Sequence, residues 1–205
     1  RQHPAYWVCI PNMLDAVAIG QKAGNSPYTG DMLHIVSVGR LAPEKHFENI
    51  IPVAKMLRDM STDFVWHIVG DGSEQARLES LIVENDLKDH VILEGSKTNP
   101  YPYMKYADLF VHPSYVESHG LTVLEAMALD VPCVVTKSRG PCEFIEDGVN
   151  GLLTEQSPES LAEEVLAILN DKKLYQHIKE NTKCPEQFGP ERVIKQIETM
   201  IDGEM

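Results

Sequence analysis

The chain has 205 residues, enough for one large α/β domain or two small domains with a buried core. Its 43% apolar and 24% charged residues are ordinary globular usage and exclude a collagen-like, low-complexity or disordered chain. Eighteen Lys and Arg against 31 Asp and Glu give a formal charge of −13, which excludes nucleic acid and an anionic membrane surface as main partners, because basic patches bind both. An anion would have to bind at a local cationic site.

The ends and the cysteines of the chain indicate its compartment. No apolar run is long enough to predict a membrane-spanning helix. The chain begins at Arg1 without an initiator Met or a charged-then-apolar leader, which predicts a start cut from within a longer chain. Cys-x-x-Cys pairs do not occur, so the cysteines predict buried thiols in a cytoplasmic protein rather than a zinc site or disulfides. The cysteines are Cys9, Cys133, Cys142 and Cys184.

The first part of the chain differs from the rest. Residues 5–10 have the pattern of a strand, and residues 11–31 predict a loop because Gly20, Gly24, Pro27 and Gly30 interrupt them. We assign residues 1–31 to the end of an interdomain linker, a first strand and a loop. Residues 32–205 form the main domain.

In the main domain, short β-branched runs alternate with segments of helical period. Strands are predicted over residues 32–38, 64–69, 91–93, 108–112, 133–135 and 151–153. Helices are predicted over residues 44–60, 73–85 and 120–129, with a short Pro-punctuated piece ending near Tyr106 and a turn-rich segment over 140–150. In the tail, Ser157 before Pro158 and Gly189 before Pro190 predict two helix starts.

This alternation predicts an α/β domain: a single Rossmann-like, doubly wound layer with a mainly parallel sheet and a helical C-terminal tail. Such sheets bind ligands at the carboxyl ends of their strands. Candidate functional residues are therefore sought where the predicted strands end.

The first strand is followed by Gly39, Arg40 and, one or two residues inside the predicted helix, Lys45. Two cations beside the free amides of a helix N-terminus form an anion site suited to a diphosphate. A solvated Arg and a helix-surface Lys fit the same spacing. The second strand ends in Gly70 and Gly72, which form either a tight turn or a close approach to a ligand; neither a complete dinucleotide fingerprint nor a P-loop is present.

Two glutamates, Glu117 and Glu125, flank the predicted start of a helix near Gly120. Glu117 precedes the N-terminus of this helix, and Glu125 lies about five residues, or roughly 7–8 Å, along the helix axis. The free amides of Leu121 and Thr122 offer a phosphate site between them, and each carboxylate can accept hydrogen bonds from vicinal hydroxyls. The layout fits a nucleotide-sugar, whose hydroxyls lie at both ends of a diphosphate. A turn-capping Glu117 and an ordinary helix Glu125 are the alternative.

Five ordered segments resemble the retaining GT-B glycosyltransferases of the group 1, or family 4, type. The most specific is the Glu-x7-Glu stretch over residues 117–128, and the others are residues 38–41 with Lys45, 69–72, 106–114 and 146–153. The resemblance covers about residues 10–153 and implies half of a GT-B fold, the C-terminal domain that binds the sugar-nucleotide donor. The N-terminal acceptor domain of that family has no counterpart in this chain.

The resemblance also implies roles for individual residues. Arg40 and Lys45 would hold the diphosphate, Glu117 the donor sugar and Glu125 the ribose, with Arg40, Lys45 and Glu117 as the catalytic set. Backbone contacts would come from Gly39, Gly70, Gly120, Leu121 and Thr122, and the segment with Gly95 and Ser96 would line the base. His119 stands where the family usually has a large aromatic residue, and we interpret it as filling the same space near the sugar or phosphate.

The family needs no metal and no cofactor, and the spacing of His112 and His119 does not fit a metal pair. The implied donor is a UDP-sugar, or a GDP-sugar, and the implied reaction is transfer of a hexosyl group with retention to an acceptor hydroxyl in glycan, polysaccharide or glycolipid synthesis. The acceptor would reach the site through the missing domain, and peripheral membrane association of the whole enzyme stays open.

Two other functions remain open. The chain alone could be a module that binds a nucleotide-sugar without transferring it, because the acceptor wall is missing. A glycoside hydrolase could use Glu117 and Glu125 as its carboxylate pair. Against the hydrolase, Glu117 lies beside cations and a helix N-terminus, which predicts a lowered pKa that does not suit a general acid.

Overall fold

A computed structural model describes residues 10–201. It contains one six-stranded sheet in the order β3-β2-β1-β4-β5-β6, and every neighbouring pair is parallel. The Rossmann-like fold class and the six strands predicted between residues 32 and 153 are confirmed. The strands are β1 (Leu33–Val38), β2 (Phe64–Val69), β3 (Val91–Gly95), β4 (Leu109–His112), β5 (Cys133–Thr136) and β6 (Leu152–Thr154). The strand expected at residues 5–10 lies almost wholly outside the described residues.

Helices cover both faces of this sheet. Ser157 caps one of them as the sequence predicts, because its side chain accepts the N–H of Ser160, and another begins at Pro190. The helices are α1 (Ala16–Lys22), α2 (Ile50–Asp59), α3 (Gln75–Glu84), α4 (Tyr101–Lys105), α5 (Leu121–Ala128), α6 (Pro158–Asn170), α7 (Lys172–Asn181) and α8 (Pro190–Ile201).

Each sheet face has its own apolar core. On one face Trp66 and Phe64 of the sheet pack with Ile50 of α2 and Leu78 of α3. On the other, strand residues such as Phe110 pack with α5 and α1. Burial on both faces explains why most residues of the strands are apolar.

The loop predicted over residues 11–31 is wrong in part, because helix α1 lies within it. The side chain of Asp15 accepts the N–H of Ala18 and caps the helix, while Ile19 and Ala23 are buried in the second core. Gly20 suggested a break in the chain, but it lies inside the helix, where the burial of its neighbours outweighs its low helix propensity.

The single helix predicted over residues 44–60 is also wrong at its start. Two short 3-10 turns, Pro43–Lys45 and Phe47–Asn49, precede α2, and His46 between them has a left-handed backbone with φ of 48°. The burial of Phe47 explains this course, because it requires the chain to turn toward the core before the helix begins.

The described cysteines are free. Cys133 is buried as expected and Cys184 is half-buried, but Cys142 is exposed, so the prediction of buried thiols is wrong for this residue. Cys142 lies in a 3-10 turn, Pro141–Glu143, whose neighbour Pro141 takes the buried position instead. Cys9 lies outside the described residues. Within residues 10–201 no helix combines the length and apolar character needed to cross a membrane.

Candidate donor site

The candidate site lies at the carboxyl ends of β1 and β4, which are neighbours in the centre of the sheet. The segment after β1 carries Lys45, and the segment after β4 carries Glu117 and leads into helix α5. Parallel pairing of these strands brings both segments to the same sheet edge.

Lys45 and Glu117 form an ion pair at this edge. The Nζ of Lys45 lies 2.6 Å from the Oε2 of Glu117, and the two side chains are only 19% and 16% exposed. The other oxygen, Oε1, accepts the backbone N–H groups of His119 at 3.2 Å and Gly120 at 3.0 Å. Contact with His112, the ammonium of Lys45 and these amides lower the pKa of Glu117 despite its burial. Glu117 is therefore ionised, as the sequence predicts.

His112, whose sequence spacing from His119 does not fit a metal pair, lies next to this carboxylate. His112, the last residue of β4, is 2% exposed, and its Nε2 lies 3.5 Å from the Oε2 of Glu117. Neither ring nitrogen has a hydrogen-bond partner among the described residues. Burial lowers the pKa of His112 and favours the neutral ring.

Helix α5 begins directly beside the ion pair. Gly120 precedes it with φ of 70°, and a Cβ there would meet the ring of Phe144 at 3.0 Å, so both the conformation and the space favour glycine. The N–H groups of Leu121 and Thr122 belong to the first turn and have no acceptor within the helix. The ammonium of Lys45 and the N-terminus of helix α5 together form a local positive site on a protein whose net charge is negative.

The helix N-terminus expected just before Lys45 is absent, because α2 begins only at Ile50. The start of α5 takes its place. Arg40 also lies apart from the pair: its side chain is 71% exposed and binds Glu44 at 2.8 Å. The structure thus brings Lys45 and Glu117 together and leaves Arg40 at the rim.

Backbone packing explains the predicted glycines at the ends of β1 and β2. Gly70, with φ of 152°, lies so close to the segment after β1 that an added Cβ would collide with the carbonyl oxygen of Gly39. The N–H of Gly39 donates to Val69 and the N–H of Gly70 donates to Gly95, both at 3.0 Å. These bonds hold the ends of β1, β2 and β3 side by side. The glycine at position 70 is therefore explained by close backbone packing within the chain.

The segment expected to line a base begins at the end of β3. Gly95 has φ of 70°, and Ser96 after it is exposed. The preceding Glu94 accepts the hydroxyl of Tyr103 at 3.0 Å and lies 2.9 Å from the Nδ1 of His67. The Glu94 side chain therefore contacts both strand β2 and helix α4.

Glu125 is half-buried on helix α5, and its Oε1 accepts the hydroxyl of Tyr101 at 3.0 Å. Burial raises the pKa of Glu125, while the Tyr101 bond lowers it by less. Burial and the neighbouring carboxylate raise the pKa of Tyr101 to about 12. Tyr101 is not among the site residues predicted from the sequence; its position at the start of the helix after β3 is the signal that could have found it.

The side chain of His119 is exposed at the mouth of the site. Its backbone lies against Gly140, where a Cβ would come within 2.7 Å of the His119 backbone. The space-filling role of its ring stays a prediction. Among residues 10–201 no group of three or more His, Cys, Asp or Glu could hold a metal ion.

Known proteins share this architecture. The family model of glycosyl transferases group 1 matches residues 25–184. An uncharacterised glycosyltransferase of Methanocaldococcus jannaschii is 32% identical over 157 residues, which cover 75% of this chain and 43% of that protein. The chain thus spans less than half the length of this relative.

Two solved structures resemble the described fold. HepE from Anabaena, in complex with UDP, has a TM-score of 0.80 at 23% sequence identity. The match covers 95% of this chain and 57% of the HepE chain. A variant of S. aureus TarM, in complex with fondaparinux, alpha-GlcNAc-glycerol and UDP, has a TM-score of 0.77 at 25% sequence identity. This match covers 88% of this chain and 38% of the TarM chain. Since the family model covers most of its length, the chain belongs to the group 1 glycosyl transferases.

Proposed function

We propose that this chain is the donor-binding half of a hexosyltransferase that uses a nucleoside-diphosphate sugar. The observation that carries the proposal is the Lys45–Glu117 pair at the start of helix α5 in a chain of the group 1 family. A cation, a helix N-terminus and a carboxylate within one edge of the sheet match the phosphates and the hydroxyls of such a donor.

Each group has a role in this proposal. Lys45 and the amides of Leu121 and Thr122 bind the diphosphate, and Arg40 swings from the rim to join them. Glu117 accepts hydrogen bonds from the hydroxyls of the donor sugar. Because Lys45 rests on Glu117 at 2.6 Å, binding of the diphosphate exchanges that contact for one to phosphate.

The remaining donor contacts follow the strand ends. Glu125, already oriented by Tyr101, accepts the ribose hydroxyls. The backbone after β3, at Gly95 and Ser96, faces the base, and Gly39, Gly70, Gly120 and His119 complete the surface around the phosphates and sugar.

The chemistry would be electrostatic. As the bond between the anomeric carbon and the diphosphate breaks, negative charge grows on the leaving group, and Lys45, Arg40 and the helix amides stabilise it. The acceptor hydroxyl then attacks on the face that the leaving group vacates and gives its proton to the departing diphosphate, so the product retains its anomeric configuration. The residues use neither a metal nor a cofactor in this proposal.

UDP is the proposed nucleotide because the S. aureus TarM structure was solved with UDP at 25% identity to this chain; GDP is the second choice. The acceptor would be bound by the rest of the enzyme, which serves glycan, polysaccharide or glycolipid synthesis in the cytoplasm. Peripheral attachment of the whole enzyme to a membrane fits glycolipid acceptors.

Melting temperatures of the chain with UDP-, GDP- and ADP-glucose test the proposal, because a ligand that binds the folded state raises them by mass action. UDP-glucose is expected to give the largest rise, and Lys45→Ala to reduce it. The exposed, matched variant Lys195→Ala on helix α8 should keep the full rise. No rise with any of the three nucleotide-sugars would overturn the proposal.

A glycoside hydrolase is the second candidate, because the pKa of Glu117 is lowered and that of Glu125 is raised, as in a base and acid pair. Against it, both oxygens of Glu117 are occupied by Lys45 and backbone amides, and Glu125 binds Tyr101. Release of free sugar from an aryl glycoside without nucleotide, lost in Glu125→Gln, would support the hydrolase.

A further inference from the structure

His112 has no explanation in the packing of strand β4. The other residues of this strand, Leu109, Phe110 and Val111, are apolar, and an apolar side chain would satisfy the same buried position. A buried imidazole with neither nitrogen hydrogen-bonded costs free energy that an apolar residue does not, so a native protein that keeps one calls for a reason.

The nearest charged group supplies the reason. The Nε2 of His112 lies 3.5 Å from the Oε2 of Glu117, a distance just too long for a good hydrogen bond. Lys45 holds the same oxygen at 2.6 Å. Among the described side chains, these two nitrogens are the ones in ion-pair range of Glu117.

The two donors become alternatives when a donor substrate binds. In the proposed function, on which this inference rests, Lys45 leaves Glu117 for the diphosphate. The Oε1 of Glu117 stays held by the amides of His119 and Gly120, but Oε2 loses its charged partner. A carboxylate held by one oxygen alone can rotate, and its contacts to the sugar hydroxyls would be lost with that rotation.

We propose that His112 is a positioning residue for the glutamate that binds the donor sugar: its Nε2–H takes over the Oε2 of Glu117 when Lys45 turns to the diphosphate. The ring is then a neutral tautomer with its proton on Nε2 and a bare Nδ1. A movement of well under 1 Å converts the observed 3.5 Å separation into a hydrogen bond of about 2.8–2.9 Å.

This role predicts different effects of His112 on the affinity for UDP-glucose and on the affinity for UDP. UDP alone takes Lys45 from Glu117 but makes no contact with Glu117 itself, so its affinity does not depend on how that carboxylate is oriented. UDP-glucose needs Glu117 in place. Loss of His112 should therefore weaken UDP-glucose and spare UDP, whereas loss of packing alone would affect both or neither.

Calorimetry of the 205-residue chain with UDP and with UDP-glucose tests this separation. His112→Leu is expected to lower the affinity for UDP-glucose roughly tenfold and that for UDP less than about twofold. His112→Gln, whose amide keeps a donor, is expected to restore most of the loss. His177→Gln, on the exposed surface of α7, is the matched control. Equal loss for both ligands, or for neither, overturns the inference, and thermal unfolding shows that each variant is folded.

A second measurement needs no ligand and so stands apart from the proposed function. The imidazole ¹⁵N and ¹H resonances should show the proton of His112 on Nε2. In Lys45→Met the Nε2–H resonance should move downfield as the bond to Glu117 shortens, and Glu117→Gln should abolish this movement. A proton on Nδ1, or no response to Lys45→Met, overturns the inference. Absence of UDP-glucose binding by the unsubstituted chain would instead count against the proposed function.

Discussion

Glu117 is the residue on which the site depends, because backbone, strand and loop all contribute to its surroundings. Two amides bind one carboxylate oxygen, and Lys45 and His112 approach the other. Such a carboxylate is fixed before any ligand arrives, and fixed groups lose little freedom on binding. The same contacts link the stability of the protein to pH.

We expect Glu117→Gln to lower the free energy of unfolding by about 1–3 kcal/mol at neutral pH, since it leaves the half-buried Lys45 without its anion. The folded pKa of Glu117 lies below its ordinary value of 4.5, so its stabilisation is complete above that pH and is lost as the pH falls below it. The difference from the unsubstituted chain should therefore shrink in acid. Urea unfolding from neutral pH down into this range measures it.

The exposed Glu163→Gln on helix α6 is the control for this series, and it should stay within a few tenths of a kcal/mol of the unsubstituted chain throughout. A Glu117→Gln deficit that is as large in acid as at neutral pH would contradict the assignment of the lowered pKa to this carboxylate.

At the scale of elements, the segments after β1 and β4 are fastened together beside the ion pair. The ring of His46 stacks on Tyr115 with centroids 3.9 Å apart, and Asn49 donates to the Tyr115 hydroxyl at 3.0 Å. Ser114 donates to the carbonyl of Glu44 at 3.2 Å. These contacts flank Lys45 on one segment and precede Glu117 on the other, so they set the position of the pair.

Tyr115→Leu should loosen both segments, because it removes the stack and leaves the buried amide of Asn49 unpaired. We expect a loss of about 2 kcal/mol in stability and a weaker affinity for UDP-glucose, measured by urea unfolding and calorimetry. Tyr106→Leu, away from the site, removes a comparable bond from its hydroxyl to Gly24 and should lower stability without changing that affinity. Equal affinities in the two variants would argue against a positioning role for the stack.

The ends of strands β1 and β2 pack closely against each other, and this packing can be tested by glycine substitutions. Gly70→Ala forces a methyl group into the carbonyl of Gly39 and should destabilise the protein by about 3 kcal/mol. Gly20→Ala lies in helix α1 with no atom within 4 Å of the added Cβ, and it should stabilise by about 0.5–1 kcal/mol. Thermal and urea unfolding of the pair measure both signs, and a harmless Gly70→Ala would show that the close approach relaxes.

These elements also show what the sequence could predict. The six strands are apolar runs that end in Gly or in polar residues, and local pattern is enough to find them. The left-handed His46 depends on a ring from a distant part of the chain, Tyr115, and helix α1 depends on burial against α4 and α5. The pairing of Lys45 with Glu117, and of Tyr101 with Glu125, comes from the order of strands in the sheet. Linear pattern carries none of this tertiary information.

For the whole molecule, the net charge bears on how a nucleotide could bind, and the chain length bears on where an acceptor could bind. The formal charge of −13 repels a nucleotide at a distance, so the nucleotide binding that we propose would depend on the local field of Lys45, Arg40 and helix α5. The chain also spans only 43% of the length of its M. jannaschii relative. In the proposed function, the acceptor is bound by residues outside this chain. Donor binding and transfer should therefore separate experimentally.

We expect the 205-residue chain to bind UDP-glucose without transferring its sugar. Binding needs only groups within this chain, and its melting temperature should rise with the concentration of UDP-glucose. Transfer needs an acceptor held in line and a site closed against water, and both require a second wall. UDP release with a panel of sugar and lipid acceptors should stay at background, while a longer chain that matches the full length of the M. jannaschii relative should release UDP. UDP release by the short chain that depends on both acceptor and Lys45 would place the acceptor site within these residues and refute the division of labour.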